Sequence, residues 1–336
     1  MVSIVTPLYN EATHLTECIE SVLAQTYQNW DYTIVNNCST DGSVEIANRY
    51  AAKDSRIRVH NNLTFLRAFP NHNEALRQIS PESKYCKVVF ADDWIFPECL
   101  ERMVALAEEN PSVGIVGAYV LEGTRISCGG LPFPSACVSG REICRQTFLE
   151  RLHVFGSANA LLYRSELVRG RDPFFDETDI HADTDTCFAL LRLSDLGFVH
   201  QVLTFTRVRP ESLTAVANDF QTNFPSMLHY LQKYGPECLI PKELKDCIDG
   251  HLDAYYSYLG KSVLFRRDKD FWHFHRTKLK EAGVGFSMPR VIWGTLATLG
   301  NAISSPRAYF KKASNRRQLP DVRLSSRFSV HKGEIR

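Results

Sequence analysis

Two carboxylate pairs in this sequence have a spacing that could support chemistry. Asp92 and Asp93 stand side by side in K-V-V-F-A-D-D-W-I-F-P (Lys87–Pro97), after the apolar run Val88, Val89 and Phe90. That run is β-branched and aromatic and reads as a strand buried on both faces. Adjacent carboxylates repel and need a counter-charge at the edge of a core. Hard oxygen ligands at a strand's carboxyl end suit Mg2+ or Mn2+, usually shared with a phosphate. A solvated turn is the competing reading of the pair alone. Asp183 and Asp185 precede a helix with apolar Phe188, Leu190, Leu191 and Leu193. The helix dipole favours carboxylates there with or without a function.

The elements around these acids alternate. Val2–Thr6 reads as a strand, followed by P-L-Y-N-E and a helix with Leu15, Cys18, Ile19, Val22 and Leu23 on one face. Asp31–Val35 is the next strand, and N-N-C-S-T-D-G-S after it opens a helix through Tyr50. Ile57–His60 reads as strand and Asn73–Ile79 as helix. The Asp92–Asp93 strand, a Glu98–Glu109 helix and a Val113–Val120 strand follow. Such alternation implies an α/β fold with a mostly parallel sheet. Ligands bind outside the carboxyl ends of the strands in such sheets. Pro7–Glu11, Asn36–Asp41 and Asp92–Asp93 are therefore expected to converge on one crevice.

No G-x-G-x-x-G and no G-x-x-x-x-G-K-[ST] follows the first strand, so a glycine loop is not expected to cradle phosphates. A metal held by Asp93 is the natural substitute, neutralising a diphosphate directly. The chain has 336 residues, 44% hydrophobic and 23% charged, with a formal net charge of +1. That is ordinary for a globular protein and gives no reason to expect a nucleic-acid partner. Its ten cysteines are scattered without C-x-x-C or zinc spacing, which reads as a reducing compartment. Residues 2–6 already read as a strand, so no signal peptide is expected, and no apolar run has spanning length.

V-S-I-V-T-P-L-Y-N-E, N-N-C-S-T-D-G-S and A-D-D, in this order, resemble glycosyltransferase family 2, over roughly residues 1–215. The resemblance implies the GT-A fold and an inverting transferase using a nucleotide-diphosphate sugar. Pro7, Tyr9 and Glu11 would line the nucleotide sugar, with Pro7 and Tyr9 along base and ribose. Tyr9 offers a face for stacking. Asn37 sits where the family commonly has an Asp that accepts the base imide proton; an amide oxygen can still accept it. Asp92 would hold the ribose or metal-bound water, and Asp93 the metal. The family often has Asp at one or both of the positions of Asn36 and Asn37, which leaves the base open. Ser39 and Asp41 read as turn and cap residues.

The resemblance also makes Asp183 the catalytic base, with Ala182 replacing the usual Glu and Asp185 as the competing assignment. Such a base takes the acceptor hydroxyl's proton as the oxygen attacks the anomeric carbon. Cations stabilise the leaving diphosphate. Arg207 or Arg209, where the family often has R-x-H, would clamp the diphosphate, or make a surface salt bridge. Arg67 is a weaker candidate of the same kind. A loop near Gly156–Asn159 would face the acceptor, with a buried turn as the alternative.

Residues 1–215 are thus expected to form the transferase domain, 216–290 a helical C-terminal extension, and 291–336 an apolar helix with a basic tail. That tail suits an anionic membrane surface or is simply solvated. The reading is of a cytoplasmic enzyme, in peripheral contact with the inner face of the membrane. Its acceptor is a glycan or lipid-linked molecule, in polysaccharide or glycolipid synthesis. A non-catalytic sugar-nucleotide-binding or scaffold protein is the alternative. A nucleotidyltransferase is disfavoured because P-L-Y-N-E is neither glycine-rich nor basic.

Overall fold

The computed structural model describes residues 1–209 and 213–304. The chain divides into two compact units, Met1–Arg209 and Pro210–Arg336. The residues of the basic tail from Arg307 onward lie outside the described residues.

The first unit runs β1 (Val2–Leu8), α1 (Leu15–Leu23), β2 (Trp30–Asn36), α2 (Ser43–Ala51), β3 (Ile57–Asn61), α3 (Ala68–Arg77) and β4 (Tyr85–Val88). It continues with β5 (Trp94–Ile95), α4 (Cys99–Glu109), β6 (Val113–Glu122), β7 (Arg125–Ser127), β8 (Cys137–Val138) and α5 (Gly140–Glu150). It ends with β9 (Leu162–Arg164), α6 (Ser165–Arg169), α7 (Ala182–Leu191) and β10 (Asp195–Thr206). One sheet has the order β3-β2-β1-β4-β9-β6-β10-β5, with β7 on β6 and β8 on β10. β1 pairs in parallel with β2 and β4, β2 with β3, and β6 with β10; β9 runs antiparallel between β4 and β6. This is a mixed α/β sheet, largely parallel.

Burial explains the strands. Every residue of β1 is buried, and its polar members are bonded inward: Thr6 Oγ1 donates to Val89 O at 2.7 Å and meets Tyr32 OH at 2.8 Å. The apolar faces of α1 and α4 close over the sheet, with Leu15, Cys18, Ile19 and Val22 on one and Cys99, Leu100, Met103, Val104 and Ala107 on the other.

Several boundaries differ from the sequence reading; α7, for example, ends at Leu191, and Leu193 beyond it is exposed. The strand before the acids begins at Tyr85, because charged Lys87 is inside it and Val89 still pairs with Val5 O. Helix α3 starts at Ala68, five residues before the expected Asn73, since Pro70 falls in its first turn, where a missing N–H does no harm. Before β9, Ala158–Ala160 forms a one-turn 3-10 helix.

The second unit is helical: α8 (Leu213–Phe220), α9 (Asn223–Lys233), α10 (Gly235–Cys238), α11 (Pro241–Leu264), α12 (Lys269–Glu281) and α13 (Met288–Ser304). Its core gathers Leu228, Leu252, Tyr255, Tyr256, Leu259, Phe271, Leu279 and Val291. The apolar residues from Val291 onward belong to α13.

In the first unit, α5 approaches the end of α7 so closely that a Cβ on Gly140 would lie 2.0 Å from Leu191 O and 2.1 Å from Ser194 O. Main-chain carbonyls cannot swing aside as a side chain can. Gly140→Ala is expected to cost about 1–3 kcal/mol in urea unfolding. Gly129→Ala, with nothing within 4 Å of its Cβ, serves as the neutral control. Equal stability of the two variants would contradict this packing.

Candidate functional site

Loops at the carboxyl ends of β1, β2 and β4 build the candidate site. The first two are stitched to each other. Asn10 N donates to Ser39 Oγ at 3.0 Å, Glu11 N to Ser43 Oγ at 2.8 Å and Ala12 N to Asp41 Oδ2 at 2.9 Å, while Asn10 Oδ1 accepts from Thr40 N at 2.7 Å. Ser39 and Asp41 therefore serve the turn. Pro7 is buried in β1, in register with Val35. Tyr9 is 44% exposed and meets the edge of Phe65, itself exposed, with ring centroids 4.8 Å apart. The two rings offer an open aromatic surface.

Asn37 turns away from that surface. Its Nδ2 donates to Leu66 O at 2.7 Å, and its Oδ1 accepts from Leu66 N at 2.8 Å and Asn62 Nδ2 at 3.1 Å. Both lone pairs of the oxygen are taken, so in this conformation Asn37 has no acceptor left for a base. Asn36 is similarly used, between Asn61 and Ser39 N. Arg67 follows Leu66 and precedes α3.

Asp92 and Asp93 sit in the turn from β4 to β5, and the antiparallel pairing of β5 with β10 brings Arg207 and Arg209 beside them. Arg207 N donates to Asp93 Oδ1 at 2.8 Å, its Nε to Asp92 O at 3.0 Å, and its Nη2 to Glu17 Oε2 at 2.7 Å. Arg209 Nε lies 3.1 Å from Asp92 Oδ2, and its Nη2 lies 2.6 Å from Glu11 Oε1 and 3.3 Å from His14 Nδ1. The other oxygen of Asp93 accepts from Asn159 Nδ2 at 2.9 Å. Tyr9, Glu11, Asp92, Asp93, Arg207 and Arg209 thus belong to one group of segments beyond the strand ends, while Pro7 is within β1. The loop expected to face an acceptor instead buries Asn159 against Asp93.

Burial, and then the Asp92 charge, push the Asp93 carboxyl up to about 8. Burial also raises Asp92, with Arg209 opposing the shift. A divalent cation would relieve both. Among the described residues no group of three or more His, Cys, Asp or Glu forms a metal cage. Asp93 with Asp92 offers oxygen ligands only and leaves coordination positions for phosphate oxygens and water, as suits Mg2+ or Mn2+. The acids present fit such an ion.

Asp183 lies in the first turn of α7 and accepts from Thr184 N at 2.8 Å. Burial foremost, with Asp179 adding to it, lifts its carboxyl to about 6. Asp185 is buried, with Arg171 Nη2 at 3.5 Å from its Oδ2. Asp183 makes no hydrogen bond or ion pair with Asp92 or Asp93. Helix α3 touches a segment of chain that precedes each of them. His72 stacks on Phe90 with centroids 5.1 Å apart and lies 6.3 Å from Phe175, in the loop leading to α7. Asn73 clasps that loop through Phe175 N at 2.8 Å and Phe175 O at 2.9 Å.

His14, Glu17 and Asn159 also partner these groups, beyond the residues expected from sequence. His14 and Glu17 lie at and just inside the start of α1, one helical turn apart, directly after the first loop, and that spacing was the available signal. Asn159 had none, since it reaches Asp93 across 66 residues.

Residues 3–128 match the family model described as Glycosyl transferase family 2. EpsE of Bacillus subtilis is 33% identical over 172 residues, 49% of this chain and 60% of EpsE, so the chain spans less than two thirds of that relative. Staphylococcus aureus TarS 1-349, solved in complex with UDP-GlcNAc, has the same fold, with a TM-score of 0.61 at 18% identity over 84% of this chain and 80% of that one. The mannosyltransferase PcManGT of Pyrobaculum calidifontis, solved with GDP-Man and Mn2+, gives 0.54 at 17% identity over 93% and 83%. The sheet described above is thus of the GT-A type.

A carboxyl whose proton is held more tightly in the folded than in the unfolded chain makes folding take up protons. The Asp93 contribution to stability is therefore full below about pH 4, the unfolded value, and is lost as pH rises through about 8. In metal-free buffer Asp93→Asn is expected to flatten the fall of melting temperature over that window. Parallel profiles for variant and wild type, by circular dichroism, would show that the Asp93 proton is not so held.

Proposed function

Because residues 3–128 belong to glycosyl transferase family 2, we propose that this protein moves a sugar from a nucleotide-diphosphate sugar to an acceptor hydroxyl. The observation that carries the reading is the Asp92–Asp93 turn with its two arginines, at the sheet edge where this fold takes ligands. The exposed Tyr9–Phe65 surface suits a nucleotide base. The UDP-GlcNAc and GDP-Man of TarS and PcManGT support a nucleotide-sugar donor.

Asp93 would hold Mg2+ or Mn2+, with Asp92 beside it. When bound, the ion neutralises charge on the leaving diphosphate. Arg207 and Arg209 already satisfy Glu17, Glu11 and Asp92. Taking a diphosphate therefore means exchanging a carboxylate for a phosphate, which a bidentate guanidinium does well. Asp183 would accept the proton of the attacking hydroxyl. Its raised, burial-shifted carboxyl suits a base working near neutral pH better than the ion-paired Asp185 does. One displacement by that hydroxyl inverts the anomeric centre.

Asp183→Asn is expected to lower kcat by about 10²–10⁴-fold, the usual worth of a general base. In the wild type, kcat/KM should fall as pH drops through about 6, where Asp183 takes up its proton. A panel of UDP-, dTDP- and GDP-sugars with and without Mn2+, read by thermal shift, identifies the donor. Asp93→Ala should abolish the Mn2+-dependent shift. Donor binding without transfer to any glycan or lipid-linked acceptor would favour the scaffold reading.

The acceptor is placed by this reading at a membrane, in polysaccharide or glycolipid synthesis. Met288, Ile292, Leu296 and Leu299 recur on one face of α13, with Trp293 74% exposed beside them. Residues 305–336 carry nine Lys and Arg against Asp321 and Glu334. No described helix is long and apolar enough to cross a membrane. An exposed apolar face continuing into a cationic sequence matches an anionic lipid surface. The full chain should sediment with phosphatidylglycerol vesicles and not with phosphatidylcholine vesicles, and Ile292→Glu/Trp293→Glu should release it. Unchanged sedimentation of that variant, or dimerisation lost in its place, refutes the lipid assignment.

A further inference from the structure

The polar chain behind Asp93 starts at a residue that a strand core should exclude. Lys87 lies on β4 between Cys86 and Val88 and is 0% exposed. A buried ammonium normally needs a carboxylate or a full set of acceptors. Among the described residues Lys87 has no carboxylate partner. Its Nζ donates to two main-chain carbonyls, Asn159 O and, at 3.2 Å, Leu161 O. These carbonyls belong to the 3-10 turn Ala158–Ala160 and the residue after it. The β4–β9 ladder ends at the pairing of Lys87 with Leu162, so the turn lies past its last rung. The lysine side chain reaches beyond the ladder and holds it.

Asn159 is as enclosed as Lys87. Its Nδ2 donates to Asp93 Oδ2 at 2.9 Å, and its Oδ1 is buried without a hydrogen-bond partner among the described residues. A buried amide with an unsatisfied oxygen is not explained by its own contribution to stability. It is explained if the turn is held from elsewhere so that the amide nitrogen meets Asp93.

We propose that Lys87 is a positioning residue for Asp93: by fixing the carbonyls of Asn159 and Leu161 it keeps the Asn159 amide on the carboxylate, and so sets how Asp93 meets a divalent cation. Lys87 itself touches no cation and no donor. Groups that orient a metal's ligand affect affinity nearly as directly as the ligand. The cation half of this proposal rests on the reading of Asp93 given above; the geometric half does not.

Two measurements on Lys87→Met test it. In a metal-free crystal structure of the variant, the Asn159 Nδ2–Asp93 Oδ2 separation should open beyond hydrogen-bond reach; retention of the 2.9 Å contact overturns the proposal. In Mn2+ titrations with UDP, followed by electron paramagnetic resonance, affinity should fall about tenfold or more. Asn159→Ala should lose as much, and the double variant no more than either, because both act through one contact. Lys87→Arg, which keeps charge and donors, should recover part of the loss. Additive losses, or wild-type affinity in Lys87→Met, overturn the proposal. If Lys87→Met does not fold, Lys87→Gln replaces it in both measurements with smaller effects in the same direction. If the wild type binds no Mn2+, the reading of Asp93 as a metal ligand has failed, and the crystal structure alone decides the role of Lys87.

Discussion

Asp92 and Asp93 are adjacent on the chain, and Asp93 is almost wholly enclosed. Burial penalises its charge, and its neighbour's charge adds to the penalty. Everything close to the pair can be understood as an answer to that cost. One oxygen of Asp93 accepts from a main-chain N–H and the other from an amide, while Arg209 faces Asp92. These partners are enough to hold the geometry, yet they leave the Asp93 carboxyl well above its ordinary range. In the reading proposed above, a carboxyl kept oriented but short of positive charge would suit a cation arriving with its own ligands.

The sheet sets the geometry of that answer. Thr6 and the main chain of Val5 hold the end of β4 against β1, which fixes where the acids emerge. The short strand β5 then pairs with β10, and this register delivers Arg207 and Arg209 from more than a hundred residues away. On the other side, the turn before β9 delivers Asn159. If the site takes a diphosphate as proposed, strand pairing would do there the work that a contiguous phosphate loop does in glycine-rich nucleotide sites.

Local pattern made much of this visible beforehand. The alternation of elements, the faces of α1 and α4 and the three polar loops are properties of short windows, where periodicity and capping residues act directly. What could not be read was set by pairings distant in sequence. The burial of Lys87 has no local cause; its two carbonyl partners across 72 and 74 residues explain it. Whether Asp183 or Asp185 is held by a cation could not be told from D-T-D; Arg171 beside Asp185 separates them.

The amides at Asn36 and Asn37 looked from sequence like lost acids. Their hydrogen bonds give another account. Asn37 donates to one main-chain group of Leu66 and accepts from the other, a clasp that needs a donor and an acceptor on one side chain. An aspartate there would set a carboxylate against Leu66 O and repel it. The exchange of acid for amide thus follows from how the loop after β3 is held, and by itself it is no sign of a retired enzyme. In the proposed reading, recognition of a base would draw on the open rings of Tyr9 and Phe65. Buried Lys87, Asn159 and Asn37 share one logic: each is a polar strut turned inward, whose hydrogen bonds hold a loop or turn in place.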